Sequence, residues 1–246
     1  MIALVIAGFL IGAFVAIIGG GGGVFYVPVL TIFFQVPATI AVGTSLAAVI
    51  PTTLAALLGH ARHESVDFKA GFPLALGGAL GAGISVYVVR LLSANTLALA
   101  FGFFMFFLAF LTARPKKKNP AGKPKNIFLL LAGTTSGAMA GIFGASGSPP
   151  VLAALALMGF SPQKIIGTSI LVLCVNAVCG ALGHWRIGHV NFHLFWPLAL
   201  GALFGAFSGA MLLHHLPLRW IERFSKPVFL TIMTAAGVAM VLEGLS

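Results

Sequence analysis

Residues 41–82 are repeated, with changes, at 165–206, 124 positions further on. The first copy reads AVGTSLAAVIPTTLAALLGHARHESVDFKAGFPLALGGALGA and the second IIGTSILVLCVNAVCGALGHWRIGHVNFHLFWPLALGALFGA; sixteen of forty-two positions are identical without a gap. Before each copy stands a glycine-rich break ending in proline, GGGGGVFYVPVL at 19–30 and GIFGASGSPPVL at 141–152. The chain is therefore two versions of one unit. In a membrane chain, paired halves with matching interruptions point to a transporter whose site lies where the halves meet.

Composition places the chain in a membrane. Hydrophobic residues make up 59% and charged residues 7%, too few polar groups to cover a soluble fold of this length. Runs long enough for a hydrocarbon layer of about 30 Å fall at 2–18, 39–58, 68–90, 95–112, 127–143, 165–183, 192–213 and 227–244. The expected fold is an all-α polytopic membrane protein of about eight transmembrane helices in two homologous four-helix halves. The first half is 1–113, a basic linker 114–125, the second half 126–246. The apolar stretches 24–34 and 149–158 are too short to cross and read as broken or re-entrant half helices. The start, MIALVIAGFLIGAFVA, lacks a basic segment and matches Asn126–Ala140, so it reads as a first transmembrane helix rather than a leader.

The net charge of +10 does not indicate nucleic acid, because six of the fourteen basic residues sit in the one linker RPKKKNPAGKPK. A solvated cationic loop belongs on the cytoplasmic side. Four crossings on either side of it put both termini in the cytoplasm too, with loops 60–67 and 184–191, while Arg90, Arg219, Arg223 and Lys226 face outward. Four crossings per half make the repeats parallel, whereas an odd number makes them inverted. The two cysteines, Cys174 and Cys179, lie in one apolar segment and read as small packing residues.

Three repeated elements carry chemistry. Glycines Gly19 to Gly23 cannot hold a helix in lipid, and irregular backbone is tolerated there only where protein or a wet cavity satisfies it. At the corresponding place stand Gly141, Gly144, Ala145, Ser146, Gly147 and Ser148, followed by Pro149 and Pro150. Proline suits a first helical turn, so each break is expected to end at a helix N-terminus whose free amides attract an anion. The second element is Gly-Thr-Ser, at Gly43–Ser45 and Gly167–Ser169, whose hydroxyls either cap their own helix or meet a ligand. Midway along these helices Thr52 and Asn176 match, and Asn176 either joins two helices or touches the ligand. The third is Gly-His-x-Arg, with His60 and Arg62 and again His184 and Arg186. These cations suit a helix C-terminus at the interface, or draw anions to a pore mouth. HARHE at 60–64 is not a zinc pattern and reads as loop.

The four acidic residues, Glu64, Asp67, Glu222 and Glu243, all fall in loops or near helix ends, so no carboxylate is set to carry a cation through the bilayer. No nucleophile–base set, Walker sequence, dinucleotide fingerprint or metal cluster is present, and neither cofactor nor metal is expected. What remains suits a small oxyanion. With its duplicated glycine break, following G-T-S and basic central loop, the chain resembles the TauE/SafE family of sulfite-exporter-like and sulfonate-permease-type transporters over essentially its whole length. The resemblance implies a secondary transporter of sulfite, thiosulfate or an organosulfonate in the cytoplasmic membrane. It implies a binding set of Gly22, Gly23, Thr44, Ser45, Gly144, Ser146, Gly147, Thr168 and Ser169, to which the residues themselves add Asn176. Alternating access of the two halves is the expected mechanism, with the sulfur anion and membrane lipids as partners. Direction, coupling ion and self-association into a homo-oligomer are left open. The rival readings are an intramembrane enzyme using Cys179 or His184, and a membrane scaffold.

Overall fold

The computed structural model describes residues 1–18, 22–62, 65–113, 126–145, 147–213 and 218–245. They form α1 (Ile2–Ile18), α2 (Gly23–Pro28, continuing into a π-helical turn Val29–Phe33), α3 (Ala38–Arg62), α4 (Phe68–Arg90) and α5 (Ala94–Ala113). After the linker come α6 (Asn126–Phe143), α7 (Ser148–Leu157), α8 (Pro162–Arg186), α9 (Phe192–Leu213) and α10 (Leu218–Leu245). Seven of these are long and apolar enough to cross a membrane, and α1 is a shorter apolar helix of 17 residues, about 25 Å. Eight expected spans and two short helices thus all appear as helices. Many large apolar side chains, such as Phe72, Ile84, Phe103 and Phe204, point outward, as a lipid-facing surface requires.

The first break departs from expectation in one respect. α2 begins at Gly23, so Pro28 closes the helix instead of opening it. Lacking an N–H, Pro28 cannot make the ordinary helical bond to Val24, and the chain widens into the π-helical turn that follows. The second break behaves as expected, with Pro149 and Pro150 in the first turn of α7.

Helix pairing is written in glycine. In lipid no hydrophobic force joins two helices, so close backbone approach over small residues does. Along α1 and α9, a side chain on Gly8 or Gly12 would strike the backbone of Leu198 or Ala202, and one on Gly201 or Gly205 that of Val5 or Phe9. Along α4 and α6, Gly133 and Gly137 meet Leu74 and Gly78, while Gly77 and Gly81 meet Leu130 and Thr134. The order of these contacts makes both pairs parallel, and each joins a helix of one half to a helix of the other.

The same reading fixes the remaining directions. Gly71, Gly78 and Val86 of α4 lie against Thr168, Asn176 and Gly183 of α8, so those two are parallel. Gly180 of α8 meets Leu46 of α3 while Gly167 meets Ser65 just beyond the other end of α3, so α3 and α8 are antiparallel. Gly102 and Gly244 place α5 and α10 antiparallel too. Helices α1, α3, α5 and α9 therefore point one way and α4, α6, α8 and α10 the other. Because α1 and α3 agree in direction, α2 must be the return segment between them, and α7 plays that part between α6 and α8. Each half then makes an odd number of passes, with the short helix counted as one of them.

One face of the molecule carries both termini and the connections 34–37, 91–93 and 187–191; the opposite face carries 65–67, 158–161 and the ends from which the linker springs. This corrects the expectation that the termini share a side with the linker, and that loops 60–67 and 184–191 share one. Both expectations took α1 and α3 as successive opposed crossings, whereas the return by α2 makes them parallel.

A bulky residue at a glycine contact should prevent pairing. Gly137→Leu is expected to cost at least the 1 to 3 kcal/mol typical of overpacking and to lower the melting temperature in detergent. Gly83→Leu, where nothing lies within 4 Å of an added Cβ, should melt like the wild type. Equal melting of both variants would contradict the pairing.

Candidate functional site

The two breaks touch. A side chain on Gly23 would collide with the Gly144 carbonyl, and one on Gly144 would press on Val27 and Val42. Between them the buried Ser45 hydroxyl of α3 lies 3.1 Å from the Gly144 carbonyl and 3.3 Å from the Gly23 carbonyl, so one donor serves both breaks. Gly144 and Gly147 both have φ of +61°, a left-handed conformation that costs glycine nothing and reverses the chain from α6 into α7. No side chain caps α2 at Gly22 or α7 at Gly147. The Tyr26 ring packs on Gly22.

Deeper in the second unit Gly147 backs onto Ser136 of α6. The Ser136 hydroxyl accepts from Asn176 Nδ2 at 2.9 Å, and both side chains are fully buried. Asn176 Oδ1 faces Gly78, buried and without a partner. The first half has no equivalent: Thr52 turns back to its own helix at the Val49 carbonyl, 2.8 Å away. Asn176 thus joins α8 to α6 and leaves an acceptor without a partner against Gly78 of α4.

The paired threonines do something the sequence did not suggest. Thr44 Oγ1 accepts the backbone N–H of Asn191 at 3.1 Å, and Thr168 Oγ1 accepts that of Asp67 at 2.9 Å. Asn191 Oδ1 in turn accepts from the first amides of α9, and Asp67 Oδ1 caps α4 at Ala70. Gly43 and Gly167 leave room for the carbonyls of His189 and Ser65. Glycine and threonine of each G-T-S form a notch that seats the loop ahead of a helix in the other half. The serines diverge, since Ser169 bonds its own helix at Ile166, 2.8 Å away.

Of the first Gly-His-x-Arg copy, the side chains of His60 and Arg62 lie outside the described residues, as do Gly19–Gly21 and Ser146 of the breaks. Arg186 is exposed at the end of α8. His184, expected at a pore mouth, is 0% exposed, with Nε2 2.8 Å from the Gly141 carbonyl and its ring 5.6 Å from that of His189. Burial pushes His189, in the loop 187–191, below the ordinary imidazole value. Sequence reasoning passed over Asp67, Asn191, His189 and Ser136. For the first two a signal was present, the matching V-D-F and V-N-F at 66–68 and 190–192, with an Asx residue ahead of an apolar helix.

Two cavities outside this centre suit an anion poorly. One of about 560 Å³ between α3, α8 and α9 is lined by apolar residues such as Leu54, Leu182, Trp185 and Leu200. Another of about 220 Å³ near the terminal face includes Glu243 in its wall. No cluster of three metal-ligating side chains occurs among the described residues.

Thr44→Val and Thr168→Val each strand one loop amide, at a cost of about 1 to 3 kcal/mol. The two losses should add, because the notches lie on opposite faces. Thermal melting of the single and double variants checks this, and a double variant as stable as the wild type would refute the latch.

Comparison with known proteins places the chain among membrane transporters. The probable membrane transporter protein YunE of Bacillus subtilis is 28% identical over 98% of this chain and 97% of its own length. YdhB of the same organism, with the same description, is 27% identical over 87% and 91%. Probable membrane transporter protein MJ0441 of Methanocaldococcus jannaschii is 23% identical over 84% of each. No solved structure gives a significant match. Residues 4–240 match the family described as Sulfite exporter TauE/SafE, and with this span the chain belongs to that family of membrane transporters.

Proposed function

We propose that the chain is a secondary transporter for a small sulfur oxyanion, sulfite, thiosulfate or an organosulfonate, bound where the two breaks meet. The observation that carries this reading is the contact of Gly23 with Gly144 under the shared Ser45 hydroxyl. There, uncapped helix starts and neutral polar groups converge, and among the described residues no carboxylate lies midway along a helix. An anion gains from helix N-terminal amides, and a cation would find no counter-charge. Gly22, Gly23, Ser45, Gly144 and Gly147 are the first candidates for contact, with Ser146 between them in sequence. Asn176 stands behind them through Ser136, whereas Thr44, Thr168 and Ser169 act on the frame. The sulfur identity rests on the family description alone.

The two halves are read as inverted repeats, since equivalent helices run in opposite directions. The bodies that rock are then not the sequence halves: α1 is bound to α9 and α4 to α6. One body comprises α1, α2, α3 and α9, the other α6, α7, α8 and α4, and they slide along the antiparallel α3–α8 contact. Each body carries one break, so their relative motion opens the anion site to one face and then the other.

The charge distribution orients the molecule. Among the described residues, Arg90 and Arg186 belong to the terminal face, while Arg62, Lys69, Lys164 and the start of α10 belong to the other, from whose helix ends the basic linker leaves. That asymmetry supports a cytoplasmic linker face and external termini, in the cytoplasmic membrane. On a Cys174→Ala, Cys179→Ala background, Leu245→Cys, at an exposed position on the terminal face, should react with an impermeant thiol reagent in intact cells while Asn119→Cys stays protected. The reverse pattern would overturn the orientation.

Function is tested by flux of labelled thiosulfate, sulfite and sulfoacetate into vesicles holding the purified chain. Saturable flux of at least one is expected, lost by tenfold or more in Gly144→Ala. Product without flux would indicate an enzyme, and neither would indicate a scaffold.

A further inference from the structure

The groove of about 560 Å³ between α3, α8 and α9 has no part in the anion centre. Its floor is made of small residues, for Ala47, Ala181 and Ala199 line it and are buried, so three helices that meet there leave a channel between them. Its rims are large and turned outward: Leu54, Leu182, Trp185, Trp196 and Leu200 line it and are exposed.

The channel has a definite length. Thr44 of α3 holds the amide of Asn191, which sets the level of loop 187–191 against α3. From that loop the lining on α9 runs from Phe192 to Leu203, a rise of about 17 Å at about 1.5 Å per residue. On α3 the lining ends at Leu54, about 15 Å past the level of Thr44. Half of a hydrocarbon layer of about 30 Å is about 15 Å, so the groove starts at head-group level and stops at the bilayer centre. A helix of a second copy would need the full depth; one lipid tail needs this much.

The mouth suits a head group. Two of the three tryptophans of the chain, Trp185 and Trp196, stand on the rims, and an indole favours the level where apolar tails meet polar heads. Arg186 follows Trp185 and is exposed, and the parallel α4 beside α8 ends in exposed Arg90. The carboxylate described on the same face, Glu243, belongs to α10 and to the wall of the other cavity. The charge at the mouth is therefore positive and complements a phosphate.

We propose that this groove binds one resident anionic phospholipid, with a tail between α3, α8 and α9 and its phosphate on Arg186. The inference goes beyond transport, because it assigns a second ligand and holds whichever anion is carried. A lipid against a flat helix face touches protein on one side and exchanges freely. A tail laid on the alanine floor gains van der Waals contact on three sides, and its head is held by charge, so it stays.

The test purifies the full chain in a mild detergent and measures bound lipid by native mass spectrometry. The probes are palmitoyl-oleoyl phosphatidylglycerol and phosphatidylcholine with the same tails. The wild type should keep one phosphatidylglycerol per chain and prefer it by about fivefold, the effect of one basic residue at an anionic head group. Arg186→Gln should abolish that preference and bind phosphatidylcholine as the wild type does. Leu200→Trp and Leu182→Trp, at exposed positions on opposite rims, should each fill the path of the tail and lose the lipid. Phe204→Trp, exposed on α9 but outside the groove, should keep it. Melting separates lost binding from lost folding: without lipid all should melt like the wild type. Added phosphatidylglycerol should then raise the melting temperature of the wild type and Phe204→Trp, by mass action, and leave the two groove variants unmoved. A wild type that keeps no lipid, or groove variants that keep it, would overturn the site. A preference that survives in Arg186→Gln would overturn the head-group contact. A lipid-free dimer that the groove variants break apart would overturn the lipid and give the surface to a second copy.

Discussion

Everything in this molecule follows from one requirement, that a peptide group inside lipid must find its hydrogen-bond partner within the protein. Continuous helices meet it without help. The two glycine breaks do not, and the chain meets the requirement by bringing them together and laying α3 across both, with Ser45 donating to each. A break in isolation would be a defect; two breaks facing each other under a common donor become a polar centre in an apolar body. That arrangement demands close approach, which explains why glycine recurs along α1, α4, α6 and α9, where carbonyls of one helix rest on bare Cα atoms of the next.

The same economy governs the loops. Thr44 and Thr168 take hold of the amides of Asn191 and Asp67, one on each face, and those residues begin α9 and α4. A helix of each half is thereby registered against the other half at its first residue. The swapped pairs α1–α9 and α4–α6 complete the exchange. In the proposed mechanism two bodies, each with a break, a latch and a helix borrowed from the other half, move about the α3–α8 contact.

Helix positions were legible in the sequence because hydropathy in a membrane is nearly sufficient to set them, and the ends of α4, α6 and α9 fall within one residue of the apolar runs. Helix direction was not legible. Whether α2 and α7 return depends on where Gly23 and Gly144 pack, and that is a contact over a hundred residues long in sequence. The repeated G-T-S announced importance without stating its kind, since a hydroxyl that seats a distant amide looks the same as one that meets a ligand. His184 looked like a surface cation because its motif copy ends a helix; its burial comes from α6, which no local pattern encodes.

The central claim, that the anion rests where the two breaks meet, is tested most directly by a density map of the chain in nanodiscs saturated with thiosulfate. The account predicts anion density in contact with Gly144 and the first turn of α7, bordered by Gly23 and Ser45. Density for the bound anion in the apolar groove beside Trp185, or near Glu243, with the breaks empty, would contradict it.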